Sequence, residues 1–387
     1  MDPVPGPPPR ESTGPGAQQL VEMALSALPT FVHPDGEFCF HRVAGRAGLE
    51  GRSYRYSAIV GIGLRRARLA KMSLGPLDDD FLEELLFARL AEATPGDVGL
   101  VAWMCSRGAT DAEGLLNRFR TVELNALHRL PTMEAAWLVL GAAHMATRGD
   151  AGWVEQADRW LAYLRSRLVR PTGLFLHYQS KASRRARFAN FATEVYALMA
   201  LATVANAPWA GERRRSVLPE ARQLADVLLD AQRVDGGWPW LYDAHRGTVV
   251  EDYEIYSVHQ NAMAPIAMIE MFEATGDRRY LDAMRKGLSW SLGNNELGSS
   301  LYAHPNFVYR SIRRRSPISR IVLAANTAAS LAHLPGYRGG FGHEMNCTWR
   351  PYEPGWVLEA FAGRAGVADP NAGSSTASHF PDVTTSS

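Results

Sequence analysis

The sequence predicts an all-α protein, an α/α toroid in which an inner ring of helices sits inside an outer ring. Three observations predict it: helical periodicity along most of the chain, two kinds of helix that alternate, and a glycine-marked loop that recurs. The helices Arg55–Ala67, Thr132–Ala146, Phe191–Ala205 and Ser257–Glu273 are apolar on nearly every side, as expected of helices covered on both faces. Asp78–Ala93, Trp153–Arg167, Ser216–Gln232 and Asp277–Leu292 instead carry one apolar stripe. In the third of these, Val217, Ala221, Leu224, Leu228 and Ala231 recur at three- and four-residue steps against Glu220, Arg222, Gln223 and Asp230.

The loop signature appears as Asp35-Gly36-Glu37-Phe38, Gly99-Leu100, Thr172-Gly173-Leu174-Phe175, Asp235-Gly236-Gly237-Trp238, Leu297-Gly298 and Gly339-Gly340-Phe341. Steps of roughly 60 residues over much of the chain, with one longer and one shorter, and helices between them indicate a helical repeat of about five or six hairpins. An open solenoid is the alternative, with wetter inner helices. Short alternating stretches, Gly36–Arg42 and Gly173–Tyr178, are long enough for small hairpins but not for a large sheet. Residues 1–17, rich in Pro and Gly, and 366–387, rich in Ser, Thr and Gly, are expected to be unfolded appendages of a single 18–365 domain.

Composition narrows the function classes. The 387 residues carry a net charge of +1, which gives no global pull toward nucleic acid. Cys39, Cys105 and Cys347 are too few and too scattered for a disulfide framework or a cysteine zinc site. No basic segment followed by an apolar one opens the chain, and no apolar run of about 18 residues occurs, so no leader or membrane span is expected. The cytoplasm is the expected compartment.

In a toroid the loops leading into the inner helices gather at one rim, where free N–H groups and positive dipole ends face a ligand. The polar residues at those helix starts are Arg55, Tyr56, Glu134, Glu194, Tyr256, His259, Gln260 and Asn261. Each either caps its helix or faces the rim.

The stretch Leu228–Met263 concentrates this chemistry. After Gly236 and Gly237, Trp238, Trp240 and Tyr242 offer flat faces that either stack on a sugar ring or pack the loop. Glu251, Asp252 and Glu254 form an acidic cluster suited to a general acid, to a Ca²⁺ near Glu251 and Asp252, or simply to a solvated loop. No other cofactor is implied. His259 is either a base or a satisfied core histidine. A second stretch, Tyr337–Trp356, groups His343 and Glu344 with Arg350, Tyr352 and Glu353. Arg350 can clamp a carboxylate or phosphate. HEMNC lacks the second histidine of a zincin. Asn190, beside the basic run Ser183–Arg187, and the Asn294–Pro317 loop with His304 and Asn306 complete the candidates, the latter as a lid.

Gln232, Gly236, Gly237, Trp238, Pro239 and Tyr242, followed by Asn261-Ala262-Met263, resemble segments of the family 10 pectate lyases. An acid precedes the Asn-Ala-Met in those lyases, and Gln260 stands there here. Leu228, Leu229, Gln232, Gly237 and Trp238 also resemble the QW repeat of terpenoid cyclases, although no DxDD acid motif is present. Both resemblances imply an α/α toroid.

The resulting expectation is a carbohydrate-active enzyme (lyase, hydrolase or epimerase) on an anionic or uronate-bearing glycan in intracellular polysaccharide metabolism. Asp252, Glu254, His259, Glu344 and Arg350 are its expected catalytic residues. Trp238, Trp240, Tyr242, Tyr256, Gln260, Asn261, His343, Tyr56 and Glu194 are its expected substrate contacts. The alternatives are a terpenoid cyclase or prenyl-binding toroid, with aromatic rings around a carbocation, and a non-catalytic binding scaffold.

Overall fold

The computed structural model describes residues 16–368 except 109–111, 123–129, 180–183, 303–306, 316, 338 and 340–341. His304, Asn306, Gly340, Phe341 and most of the two terminal segments therefore lie outside the described residues. Outer and inner helices alternate along the chain. The pairs are α1 (Ala17–Ala27) with α2 (Tyr54–Leu69), α3 (Asp79–Ala88) with α4 (Pro95–Cys105), and α5 (Ala112–Arg120) with α6 (Thr132–Ala146). They continue with α7 (Ala151–Arg165) and α8 (Phe191–Asn206), then α9 (Arg213–Ala231) and α10 (Ala264–Thr275). Helix α11 (Arg279–Ser291) pairs with the last inner helix, separated from it in the chain by α12 (Ile318–Leu331). That last helix, α13 (Tyr352–Phe361), packs against α2 and closes the ring.

Each inner helix touches the next, in the order α2, α4, α6, α8, α10, α13 and back to α2. The chain is therefore a closed toroid, not an open solenoid. In α8 every residue from Phe191 to Ala205 is buried, which is why its sequence lacks a polar face. Each fully buried Leu or Val there contributes roughly 1.5–3 kcal/mol of transfer free energy. Ring closure needs a small residue on each side: a Cβ on Gly63 would strike the carbonyl of Gly355. The expected helix Ser257–Glu273 is interrupted by a π turn at His259–Met263, just before α10. Pro265 supplies no N–H for the carbonyl four residues back, and the widened turn accommodates that loss.

Small sheets decorate the rim where the inner helices begin. β1 (Arg42–Val43) is paired with the distant Thr348–Trp349, whereas β2 (Leu168–Val169) and β3 (Leu174–Phe175) make the local hairpin expected at Gly173. β4 (Phe188–Asn190), β5 (Leu241–Asp243) and β6 (Thr248–Glu251) form one three-stranded sheet. β7 (Ile255–Tyr256), β8 (Ser311–Arg314) and β9 (His343–Asn346) form another, and β10 (Thr348–Trp349) is the partner of β1. Among the described residues of the segment expected to be a lid, Ser311–Arg314 form β8, the central strand of the second sheet. Helix α12 lies outside both rings, against β6 and β8.

The Gln232–Trp238 loop stitches one hairpin to the next. Gln232 Nε2 donates to the carbonyls of Gly236 and Ala283, both at 2.9 Å, and Trp238 packs on Gly287 of α11. Gly236 has φ +98°, and a Cβ there would land on the Lys286 carbonyl. Gly236→Ala therefore combines a disallowed conformation with a backbone clash. It is expected to cost more than about 2 kcal/mol in urea unfolding; a loss under about 0.5 kcal/mol would show that the contact relaxes freely.

Candidate active site at the toroid mouth

The starts of the inner helices converge on one rim, and α2, α4 and α8 are each held there by a side-chain cap. Ser53 Oγ accepts from Tyr56 N (3.2 Å), Thr94 Oγ1 from Asp97 N (3.3 Å), and Asn190 Oδ1 from Thr193 N (2.9 Å). Capping fixes the first turn of these three helices and so aims their early side chains at the mouth.

Two polar groups organise that mouth. On one side Arg55 Nε donates to Asp97 (2.6 Å) and its Nη2 to Glu134 (2.9 Å), while the guanidinium lies 4.8 Å from the Trp137 ring centre. This trio joins the first three inner helices and is fully paired. On the other side the Glu254 carboxylate accepts from Asn346 Nδ2 (3.1 Å), the Tyr256 hydroxyl (3.2 Å) and the Ser311 hydroxyl. All three donors are neutral, so among the described residues no cation pairs directly with Glu254.

Between them runs an aromatic wall. Tyr56 lies between Phe40 (5.4 Å, stacked) and Tyr352 (4.6 Å), and Trp240 meets Tyr256 at 5.0 Å. Arg310 sits 5.0 Å over the Tyr256 ring and Arg350 sits 4.0 Å over Phe40. Neither arginine has a carboxylate partner within ion-pair distance among the described residues, and the Nε of each is buried without a hydrogen-bond acceptor. Burial, and then the charge of Arg310, push the Arg350 pKa below the usual arginine value. Burial lowers the Arg310 pKa, but Tyr352, Tyr256 and the nearby Glu254 charge raise it, and the net shift is upward. Neither guanidinium is ion-paired to a described carboxylate, so the two can receive an anion between them.

The expected site residues divide. Glu254, Tyr256, Trp240, Tyr56 and Arg350 come together at the mouth. His259 is close by but only 4% exposed, enclosed by Phe191 (5.0 Å), Tyr256 (5.1 Å) and Trp240 (6.0 Å). Burial, then Arg310, lower its pKa to about 3, so it is neutral at working pH. Asp252 is half-buried, and its backbone carbonyl accepts from Trp240 N at 3.0 Å.

Others do not reach the mouth. Trp238 and Tyr242 are buried, so neither can stack on a sugar; Trp238 instead packs 5.7 Å from Phe191. Gln260 is fully buried and accepts from Trp238 N (3.0 Å), a scaffold contact. Asn261 donates inward, to Tyr302 (3.0 Å) and Glu353 (2.9 Å). Glu194 is buried beneath the β2–β3 hairpin and accepts from Phe175 N; burial raises its pKa well above the carboxylate norm. His343 stacks on Tyr253 (4.3 Å), on the opposite face of its strand from Asn346. Glu344 shares Asn346's face but pairs with Arg313 (2.9 Å).

Glu251, one of the two acids expected beside a calcium ion, is engaged within the protein. It accepts from Arg314 (3.0 Å), Asn326 (2.9 Å) and Tyr253 N (3.1 Å), and its charge is balanced by the Arg314 guanidinium. Asp78, Asp79 and Asp80 cluster at a metal-like spacing, but Asp78 caps α3 and the others pair with Arg65 and Arg68.

No protein-family model and no curated protein matches this sequence. Among solved structures, the chain is similar to a sugar epimerase from a ruminal bacterium, with a TM-score of 0.63 and 10% identity. The match covers 90% of this chain and 97% of that one. It is also similar to possible members of the GH105 family from Salmonella enterica (TM-score 0.57, 12% identity, 90% and 93% covered) and Klebsiella pneumoniae (0.55, 13%, 94% and 99%). At these identities the likeness is one of fold. The chain is an α/α toroid of that architecture.

Sequence reasoning passed over several mouth residues of the toroid. Phe40, Arg310, Ser311 and Asn346 sit on loops and short strands whose facing no periodicity announces. Asp97 and the helix it begins carry a signal that was present, the Thr94-Pro95 cap with Asp97 three residues on. No helix among the described residues is long and apolar enough to cross a membrane.

Proposed function

We propose that the protein is a carbohydrate-active enzyme acting on an anionic, uronate-bearing glycan. The observation that carries this reading is the pair Arg310 and Arg350, unpaired with any described carboxylate at the edge of an aromatic wall that also holds Glu254. A sugar carboxylate between the two guanidinium groups relieves their repulsion and gains charge-assisted hydrogen bonds. The faces of Trp240, Tyr256 and Tyr56 suit the apolar side of a pyranose ring. The similar solved structures, named as a sugar epimerase and possible members of the GH105 family, support a carbohydrate substrate.

Between hydrolysis and chemistry at the carbon beside the carboxylate, the charges favour the second. Glycoside hydrolysis ordinarily works with two carboxyl groups, and the mouth carboxylates Asp97 and Glu134 are tied to Arg55. Neutralising a uronate carboxylate acidifies its α-proton, and Glu254 is the base placed to take it, in a lyase or epimerase reaction. His259 is a poor candidate for that role, since a group with a pKa near 3 accepts protons weakly.

The test is a panel of uronate oligosaccharides alongside their neutral counterparts, followed by NMR. Glu254→Gln is expected to lower kcat by about 10²–10⁴ with binding retained. Arg310→Ala with Arg350→Ala is expected to weaken binding by about 10–100-fold. Turnover of neutral glycans alone, or unchanged kcat in Glu254→Gln, overturns the reading.

A further inference from the structure

Helix α12 carries its polarity inside out. Its buried stripe is Val322, Asn326 and Ser330, and the two polar members anchor it: Asn326 donates to Glu251 (2.9 Å), and Ser330 Oγ to Asp243 (2.6 Å). Apart from Val322, the apolar residues of the helix are partly or fully uncovered. Ile321 is 65% exposed, and Ala324 and Ala328 are exposed too. A helix whose apolar faces are left open has surface reserved for something else.

One of those faces forms the wall of a cleft. Leu323, Ala324, Thr327, Ala328 and Leu331 line a space of about 700 Å³ together with Tyr178, Phe188, Trp240 and Leu241, and His177, Asn190 and Arg320 are its polar members. That volume is within the range of sites for drug-sized ligands, roughly 300–1,000 Å³. Trp240 belongs to both places, because it also stacks with Tyr256 and His259 at the mouth. The cleft therefore adjoins the charged mouth across the Trp240 ring, which puts an apolar and a charged surface side by side.

We propose that the substrate is amphipathic: an anionic sugar bearing an apolar aglycone or acyl chain, which lies in the cleft under α12 while the sugar occupies the mouth. The proposal rests on the anionic-sugar reading for its polar end only. The cleft walls suit an inserted chain, whereas a bilayer or a second copy would meet the exposed Ile321 side.

The experiment is calorimetric titration of the full chain with glucuronate, octyl β-glucuronide and octyl β-glucoside, all below the micelle threshold. Octyl glucuronide is expected to bind at least about 50-fold more tightly than glucuronate, the gain for about three methylenes leaving water. Ala328→Trp and Ala324→Trp, which fill the cleft from an exposed helix surface, are expected to abolish that advantage with glucuronate binding intact. Two variants guard against one that misfolds. Equal binding of glucuronate and octyl glucuronide overturns this proposal alone, as does an advantage that survives both substitutions. Binding of octyl glucoside as tightly as octyl glucuronide, with none of glucuronate, leaves the apolar cleft standing and removes the anionic-sugar reading. Capture by phosphatidylcholine vesicles that Ile321→Glu abolishes, without any octyl advantage, assigns the helix to a membrane and overturns the proposal.

Discussion

Glu359→Ala is expected to destabilise the protein by about 3–5 kcal/mol, by stranding a charge in the core. Glu359 belongs to α13, the helix that closes the inner ring, and is buried; Arg107, just beyond α4, is almost as deeply set. The guanidinium grips the carboxylate through both terminal nitrogens, with Nη2 at 2.7 Å from Oε1. Helix α2 lies between α4 and α13 in the ring, and Arg107 Nη1 also reaches the Ile62 carbonyl on it at 3.4 Å. The pair thus clasps three neighbouring helices at the far rim from the mouth. Removing the glutamate leaves a guanidinium that water reaches poorly, and that penalty exceeds what the pair itself contributes. The double replacement Arg107→Met with Glu359→Leu is accordingly expected to lie within about 1 kcal/mol of the wild type, because apolar volume replaces both charges. Urea unfolding checks both values. A single variant as stable as the wild type would show that Arg107 finds other partners.

Stability is expected to be greatest between about pH 4.5 and 6.5 and to fall on either side, more steeply than the surface charges alone would cause. Glu270 and Glu353 set the alkaline limb. Both are buried, Glu270 accepts from Thr203 (2.7 Å) and Glu353 from Asn261 (2.9 Å), and burial lifts each pKa from 4.5 to about 8. A folded pKa above the unfolded one means that the folded state holds its proton longer. The contribution is complete below about pH 4.5 and is lost as the pH rises through 8, at up to about 1.4 kcal/mol per pH unit for each group. His144 and His259 set the acid limb, since burial lowers each from 6.5 to about 3. Their contribution is complete above pH 6.5 and is lost as the pH falls toward 3. Between 4.5 and 6.5 the two slopes oppose each other. Glu270→Gln with Glu353→Gln is expected to flatten the decline from pH 6.5 to 8 while leaving the acid limb unchanged. Urea midpoints measured across pH 4–9 decide it, and an unaltered alkaline slope would remove these two residues as its cause.

Legibility in the sequence follows from how a residue's environment is set. Thr132–Ala146 and Phe191–Asn206 announced themselves as inner helices because burial on both sides leaves no polar face, and their observed limits differ little from those expected. The α9 stripe was legible for the complementary reason, since one side of that helix meets water. The order of buried and striped helices then implied the ring, and the helix starts with Arg55, Tyr56 and Tyr256 fell on its rim. Helix α12 was not legible: its composition resembles a core helix, but its partners are two polar side chains and a cleft.

The chain's own pattern thus determined the toroid and the rim at which its inner helices begin, because helical periodicity is a local property repeated in every hairpin. Tertiary structure alone decided which members of the Trp238–Glu254 loop face that rim. Trp238 turns inward against Phe191 and Gly287, while Trp240 turns outward to the mouth and the cleft. It also decided that Glu251 is held by Arg314 whereas Glu254, three residues on, is bonded only by neutral donors, and that Arg310 and Arg350 converge from strand and helix ends 40 residues apart. The physical reason is the same in each case. A loop side chain points where distant packing and hydrogen-bond partners hold it, and no period in the sequence records those partners.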